Sequence, residues 1–162
     1  MPQVHLRTLC FIRDGDRVLL IRRTHPPNVG MFNAVGGKIE PGENPYQACL
    51  REVKEETGLS LQKASLRAIV TVLVLETLDR WILFTYIAER PPGQEVVPSL
   101  EGSLQWVPLE KVPTLPVPPD IPLLLPYLFK EGAVVFVKVM YAREENPTPL
   151  YAMISSHPLR RL

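Results

Sequence analysis

The spacing of apolar and polar positions divides the chain into a strand-rich body interrupted by two helical stretches. Val4 to Ile12 is a strand-like apolar run, Asp14-Gly15 is a hairpin signal, and Arg17 to Ile21 reads as the returning strand. Residues 22–31 carry Pro26, Pro27 and Gly30 and read as a loop. Pro45 to Thr57 has helical periodicity. Glu43 and Asn44 stand at its start, Pro45 suits the first helical position, and Gly58 is a stop signal. Leu66 to Leu75 and Trp81 to Ala88 predict two strands joined by a turn around Leu78-Asp79-Arg80. They are too continuously apolar to face water on one side, which places them in a central sheet. Glu89 to Leu100 is a Pro-rich loop. A second helix opens over Pro116 to Leu123 and runs to about Lys130. Ala133 to Tyr141 and Pro149 to Ser155 predict a closing hairpin with its turn at 144–147.

On a wheel of about 100° per residue, Tyr46, Cys49, Leu50, Val53 and Thr57 share one arc of the first helix. Glu52, Glu55 and Glu56 share the next, with only Ala48 among them. Crowded like charges cost about 0.2–0.5 kcal/mol per pair, and these lie in the half of the helix where the dipole favours cations. A local rule broken this way points to compensation from outside the helix. A hard divalent cation such as Mg²⁺ would supply it, since it takes carboxylate oxygens. The alternative is a solvated acidic face partnered by Arg51 and Lys54.

The surrounding residues weigh between these readings. Gly37, five residues, Glu43, seven residues, Arg51-Glu52-Val53, one residue, Glu55-Glu56, one residue and Gly58-Leu59 resemble the Nudix box at every fixed position. The resemblance implies an α/β (α+β) fold, an α/β/α sandwich with a mixed central sheet and a loop–helix–loop between sheets, here as one domain over 1–162. It implies hydrolysis of a nucleoside diphosphate linked to another group, with Mg²⁺ or Mn²⁺. Glu52, Glu55, Glu56 and the Gly36 carbonyl would be metal ligands, and Glu43 and Arg51 a supporting pair. Either Glu52 or Glu56 would be the general base. Gly36 and Gly37 allow close backbone approach; Lys38 either contacts a phosphate or is solvent-exposed.

Met31 to Lys38 resembles the segment F/W-N-x-x-G-G-K of the oxidised-purine triphosphatases, the MutT type and its mammalian counterpart. Asn33 is the expected base contact, its amide offering donor and acceptor, unless it only turns the strand. Arg22 and Arg23 either face the phosphates or flank a strand end. Phe84 or Tyr86 would stack on a base if not simply packed in the core. Glu101, before Leu104 to Leu109, matches a further family glutamate that completes the metal site or acts in catalysis; Glu95 is its nearest competitor. Asp120 is either a helix N-cap or a base-reading acid. The mammalian-type enzymes carry Trp-Pro-Asp-Asp there, and this chain has Pro118-Pro119-Asp120-Ile121, a departure that bears on 8-oxoguanine selectivity.

Composition narrows the function classes. The chain has 162 residues, 46% hydrophobic, with net charge +1, so no general affinity for nucleic acid polymers is implied. There is no signal-peptide core and no apolar run of about 18 residues, so no membrane partner is expected. Cys10 and Cys49, outside any metal-type spacing, fit a reducing cytoplasm. The expected protein is a cytoplasmic nucleoside triphosphate pyrophosphohydrolase, monomer or homodimer, that sanitises nucleotide pools, with 8-oxo-dGTP a possible substrate. The alternatives are ADP-ribose, a dinucleoside polyphosphate or a nucleotide sugar as substrate, or a non-catalytic nucleotide-binding module. Such modules usually lose acids of the box; all are present here.

Overall fold

The computed structural model describes residues 1–25, 28–132, 134–143 and 148–157, with Ser156 and His157 described without their side chains. Pro26, Pro27, the turn at 144–147 and Arg160-Arg161 lie outside the described residues. The strands are β1 (Val4–Asp14), β2 (Arg17–Arg23), β3 (Phe32–Lys38), β4 (Ser65–Val74), β5 (Arg80–Glu89), β6 (Gly102–Pro108), β7 (Val134–Tyr141) and β8 (Tyr151–His157). The helices are α1 (Pro45–Thr57) and α2 (Asp120–Leu128), with a 3₁₀ turn at Leu109–Thr114. Among the described residues the strands form one mixed sheet, in the order β6-β2-β3-β1-β5-β4-β7-β8. β1–β5 and β4–β7 are parallel and the other pairings antiparallel. No described helix is long and apolar enough to cross a membrane.

Strand alternation explains the two cores. Leu9 and Phe11 of β1 point to one face, where they pack with Ile121, Leu124 and Leu128 of α2. Cys10 and Ile12 point to the other, where they meet Cys49 and Val53 of α1. β1 is thus apolar from Leu9 to Ile12, where both its faces are covered. Two expectations are corrected here. α1 is not enclosed between sheets; it packs on one face of a single sheet. β4 and β5 are interior strands, yet α1 does not cover their whole face. Ile69, Leu73, Ile82 and Phe84 stay partly exposed, and Phe136 on neighbouring β7 is 42% exposed.

β3 has an unusual position. It pairs antiparallel with β2 through Phe32–Ala34 and antiparallel with β1 through Val35–Lys38. Since β1 and β2 are themselves antiparallel, β3 must bend between Ala34 and Val35. Beyond the bend β2 no longer pairs with it. One edge of the Gly36-Gly37 backbone is therefore left open, and the site uses that edge.

α1 starts where the sequence signals stand. Asn44 caps it: its side chain accepts from Gln47 N–H at 2.8 Å, and Gln47 returns the bond to Asn44 N–H at 3.0 Å. Gly58 ends it in the left-handed region at φ 78°, which glycine adopts without steric cost. Replacing Asn44 by Ala is expected to cost about 1 kcal/mol, read as a lower urea midpoint with an unchanged m value.

Candidate active site

The acids of α1 are not equivalent. The Glu52 side chain is 14% exposed and that of Glu55 59%. Ala48, inside the acidic arc, is fully buried. The helix is therefore rolled towards that arc, which turns Glu52 and Glu56 onto β3. The Glu52 carboxylate occupies the space that a Cβ on Gly37 would need. Glu56 Oε2 accepts from Gly36 N–H at 3.3 Å, on the open edge of β3. The Gly36 carbonyl lies on the same edge, because a strand residue's N–H and C=O point to one side.

Arg51 ties this arrangement to the loop before the helix. Its Nη1 donates to Glu52 Oε1 at 3.0 Å and Glu55 Oε2 at 3.1 Å. Its Nη2 donates to the Lys38 carbonyl at 2.9 Å and Glu43 Oε2 at 3.0 Å, and its Nε to Glu43 Oε1. Glu43 also accepts from Glu40 N–H at 2.9 Å. The Arg51 guanidinium, with that amide, holds the Glu43 carboxyl below the usual range. Glu43 and Arg51 thus clamp strand end, loop and helix together.

The remaining acids are electrostatically uncomfortable. Burial raises the Glu56 carboxyl to about 8, and the negative charges of Glu52 and Glu101 push the same way; the Gly36 amide and Arg23 only partly offset this. Burial also raises Glu52, against the pull of Arg51. Among the described residues no three of these carboxylates stand close enough together, as placed, to hold a metal ion. The donors are nonetheless all oxygen, anionic and mutually repelling, and Gly37 leaves room beside Glu52. This set fits a hard divalent cation. Glu52, Glu56 and Glu101 would hold it, with Glu55 and the Gly36 carbonyl at the margin.

A cavity of about 870 Å³ opens beside these groups. One set of lining residues belongs to the acidic cluster: Gly36, Gly37, Glu56, Glu101 and Arg23. A second set is apolar, aromatic or amide-bearing, and includes Leu9, Met31, Asn33, Trp81 and Leu83. Asp120 and Tyr141 line the cavity beside that set. Glu95, the competitor of Glu101, is held by Arg90 Nη2 at 2.7 Å and does not line the cavity. Arg22 donates to the Gly30 carbonyl and lies over the Phe32 ring.

For three of the residues singled out in the sequence the structure bears on the alternatives left open. Asp120 is not an N-cap: Pro119 takes that position and no side-chain cap bond forms. Asp120 is instead the first helical residue, 4% exposed, with burial raising its carboxyl to about 6. Phe84 packs into the core on the α1 side of the sheet and does not line the cavity. The stacking role is corrected to core packing, because alternation along β5 presents Trp81 and Leu83 instead. Lys38 is exposed and outside the cavity, contributing its carbonyl to Arg51. Trp81 and Tyr141 were missed by sequence reasoning. Strand parity could have found them only once the face covered by α2 was known.

The family model described as the NUDIX domain matches residues 3–128. The uncharacterized Nudix hydrolase YvcI of Bacillus subtilis is 31% identical over 140 residues, covering 85% of this chain and 87% of that protein. The human 8-oxo-dGDP phosphatase NUDT18 is 36% identical over 109 residues, covering 64% of this chain but only 32% of its own length. The crystal structure of a MutT protein from Bacillus halodurans superposes with a TM-score of 0.81 at 27% identity, covering 93% of this chain and 97% of that one. The clamp of Glu43 and Arg51, the acids turned onto Gly36 and Gly37, and these likenesses lead to one conclusion: the chain belongs to the Nudix family of hydrolases, enzymes that act on phosphoanhydride bonds of nucleotides.

Proposed function

We propose that the protein hydrolyses nucleoside triphosphates to the monophosphate and pyrophosphate, with oxidised purine nucleotides such as 8-oxo-dGTP as the candidate substrates. The observation that carries this reading is a single cavity lined both by the acidic cluster and by Asn33 and Asp120. Phosphates placed at the first set would leave the base at the second. A buried carboxyl and an amide beside apolar walls suit a base edge with both donors and acceptors. The human relative's name, 8-oxo-dGDP phosphatase, supports an oxidised purine base, but on a diphosphate.

In this reading Glu56 accepts the proton of the attacking water. Its Oε2 accepts from Gly36 N–H at 3.3 Å on the open edge of β3, and it lines the end of the cavity where the phosphates would lie. Glu52 and Glu101 carry the negative charge around it, and Arg51 fixes Glu52 in place. A bound Mg²⁺ or Mn²⁺ would neutralise phosphate oxygens and lower the pKa of the water.

A nucleotide panel with separate phosphate and pyrophosphate readouts tests the proposal. The expected products from 8-oxo-dGTP are monophosphate and pyrophosphate. Phosphate release, or turnover of ADP-ribose alone, would contradict it.

A further inference from the structure

The base-facing part of the cavity holds two aromatic residues for which no role has been given. Trp81 lines it from β5, and one face of its ring stacks on His5 at 4.5 Å with an interplanar angle of 17°. His5 and Trp81 are register partners on the parallel strands β1 and β5, so the indole is braced by the sheet. Tyr141 lines the cavity from the end of β7, beyond the residues that the family model matches. It is a partly buried phenol close enough to Asp120 to feel its charge. Position 118, where the mammalian-type sequence pattern has tryptophan, is proline here. Among the described lining residues the aromatic surface comes from β5 and β7.

We infer that Trp81 is the stacking platform for a purine base, and that Tyr141 and Asp120 together read that base's edge. The inference rests on reading the cavity as a nucleotide site. An indole offers a large flat surface that favours the larger purine ring over a pyrimidine. The edge readers differ in kind: the Tyr141 hydroxyl donates or accepts, while the ionised Asp120 carboxylate only accepts. A base with adjacent acceptor and N–H donor groups satisfies both. Stacked on Trp81, a purine is one ring longer than a pyrimidine and reaches further towards both groups; a pyrimidine would leave the buried Asp120 and the partly buried Tyr141 without partners, which a hydrogen-bonding site rejects strongly. Asn33 adds a third polar group from the bend of β3.

The chain has two tryptophans, and Trp106 packs in the α1-side core beneath Arg90. In a Trp106→Phe background, fluorescence therefore reports on Trp81 alone. Titration with GMP and with CMP, in EDTA, is expected to give saturable quenching, at least about fivefold tighter for GMP. Trp81→Leu in the otherwise unchanged protein is expected to raise KM for purine triphosphates about tenfold with kcat little changed. Tyr141→Phe, which keeps the ring, is expected to reduce the purine-over-pyrimidine ratio of kcat/KM about tenfold. If the wild type turns over nucleotides while GMP leaves Trp81 emission unchanged and Tyr141→Phe keeps the wild-type ratio, the inference is overturned and the nucleotide site stands. If the wild type neither binds nor hydrolyses any nucleotide, both fall.

Discussion

Glu56→Gln is expected to remove nearly all activity while making the metal-free protein more stable. Loss of a positioned general base lowers kcat by about 10²–10⁴-fold, and loss of a negative oxygen at the metal site lowers it further. The stability effect has the opposite sign. In the folded protein the Glu56 carboxyl is raised from 4.5 to about 8, so the native state binds its proton more tightly than the unfolded chain. The stability this contributes is fully present below about 4.5 and is lost as pH rises through 8. Each pKa unit corresponds to about 1.4 kcal/mol, and allowing for relaxation about 2 kcal/mol is expected at pH 9. The metal-free wild type should then melt progressively lower from pH 5 to 9. The Gln variant, with no charge to bury, should lose that part of the slope and melt several degrees higher at pH 9. Added Mg²⁺ should raise the wild type above its variant again, because a ligand of the folded state stabilises by mass action. Thermal melts across pH in EDTA and in Mg²⁺ check all three statements.

Gly37→Ala and Gly36→Ala are expected to fail in different ways. A Cβ on Gly37 meets the Glu52 carboxylate, the far end of a flexible side chain. Glu52 can swing aside at little cost, so the fold should lose less than about 1 kcal/mol. Displacing a group at the reacting centre by about 1 Å can cost 10²-fold in rate, and that loss is expected in kcat. A Cβ on Gly36 instead meets the Thr8 carbonyl and Leu9 Cα of β1. Backbone cannot swing aside, so this variant should lose about 1–3 kcal/mol of stability, with the β1–β3 ladder opened. Urea denaturation paired with steady-state kinetics separates the two. A Gly37→Ala about 10²-fold slower with nearly unchanged stability, beside a destabilised Gly36→Ala, is the expected pair.

Much of α1 was legible because its signals are local. Asn44, Pro45 and Gly58 act within one turn of the helix ends, and the structure places the helix over the expected residues. The ranking of its acids was not legible. The wheel grouped Glu52, Glu55 and Glu56 as equals and put the large Tyr46 on the packed arc. In the fold Tyr46 is exposed at 37% and Ala48 is buried. The roll of the helix is set by how closely the small Ala48 and the two glycines let it approach β3, a tertiary property. Asp120 shows the same limit: a short acid before a helix reads as a cap until Pro119 is seen to occupy that place. Phe84 and Tyr86 came forward for stacking, and Trp81 did not, because alternation alone does not say which parity faces the cavity. The bend of β3, which exposes the Gly36 edge, depends on pairing with two strands and leaves no mark in the sequence beyond the glycines.

The central claim is that Glu52 and Glu56, held against the Gly36-Gly37 edge, bind a divalent cation. Paramagnetic broadening of backbone amide signals by sub-stoichiometric Mn²⁺ tests this without any need for turnover. The amides of Gly36, Gly37, Glu52 and Glu56 should lose intensity first, with that of Gly102 beside Glu101, and Glu56→Gln should weaken the effect. Broadening centred elsewhere, or equal in the Gln variant, would contradict the account.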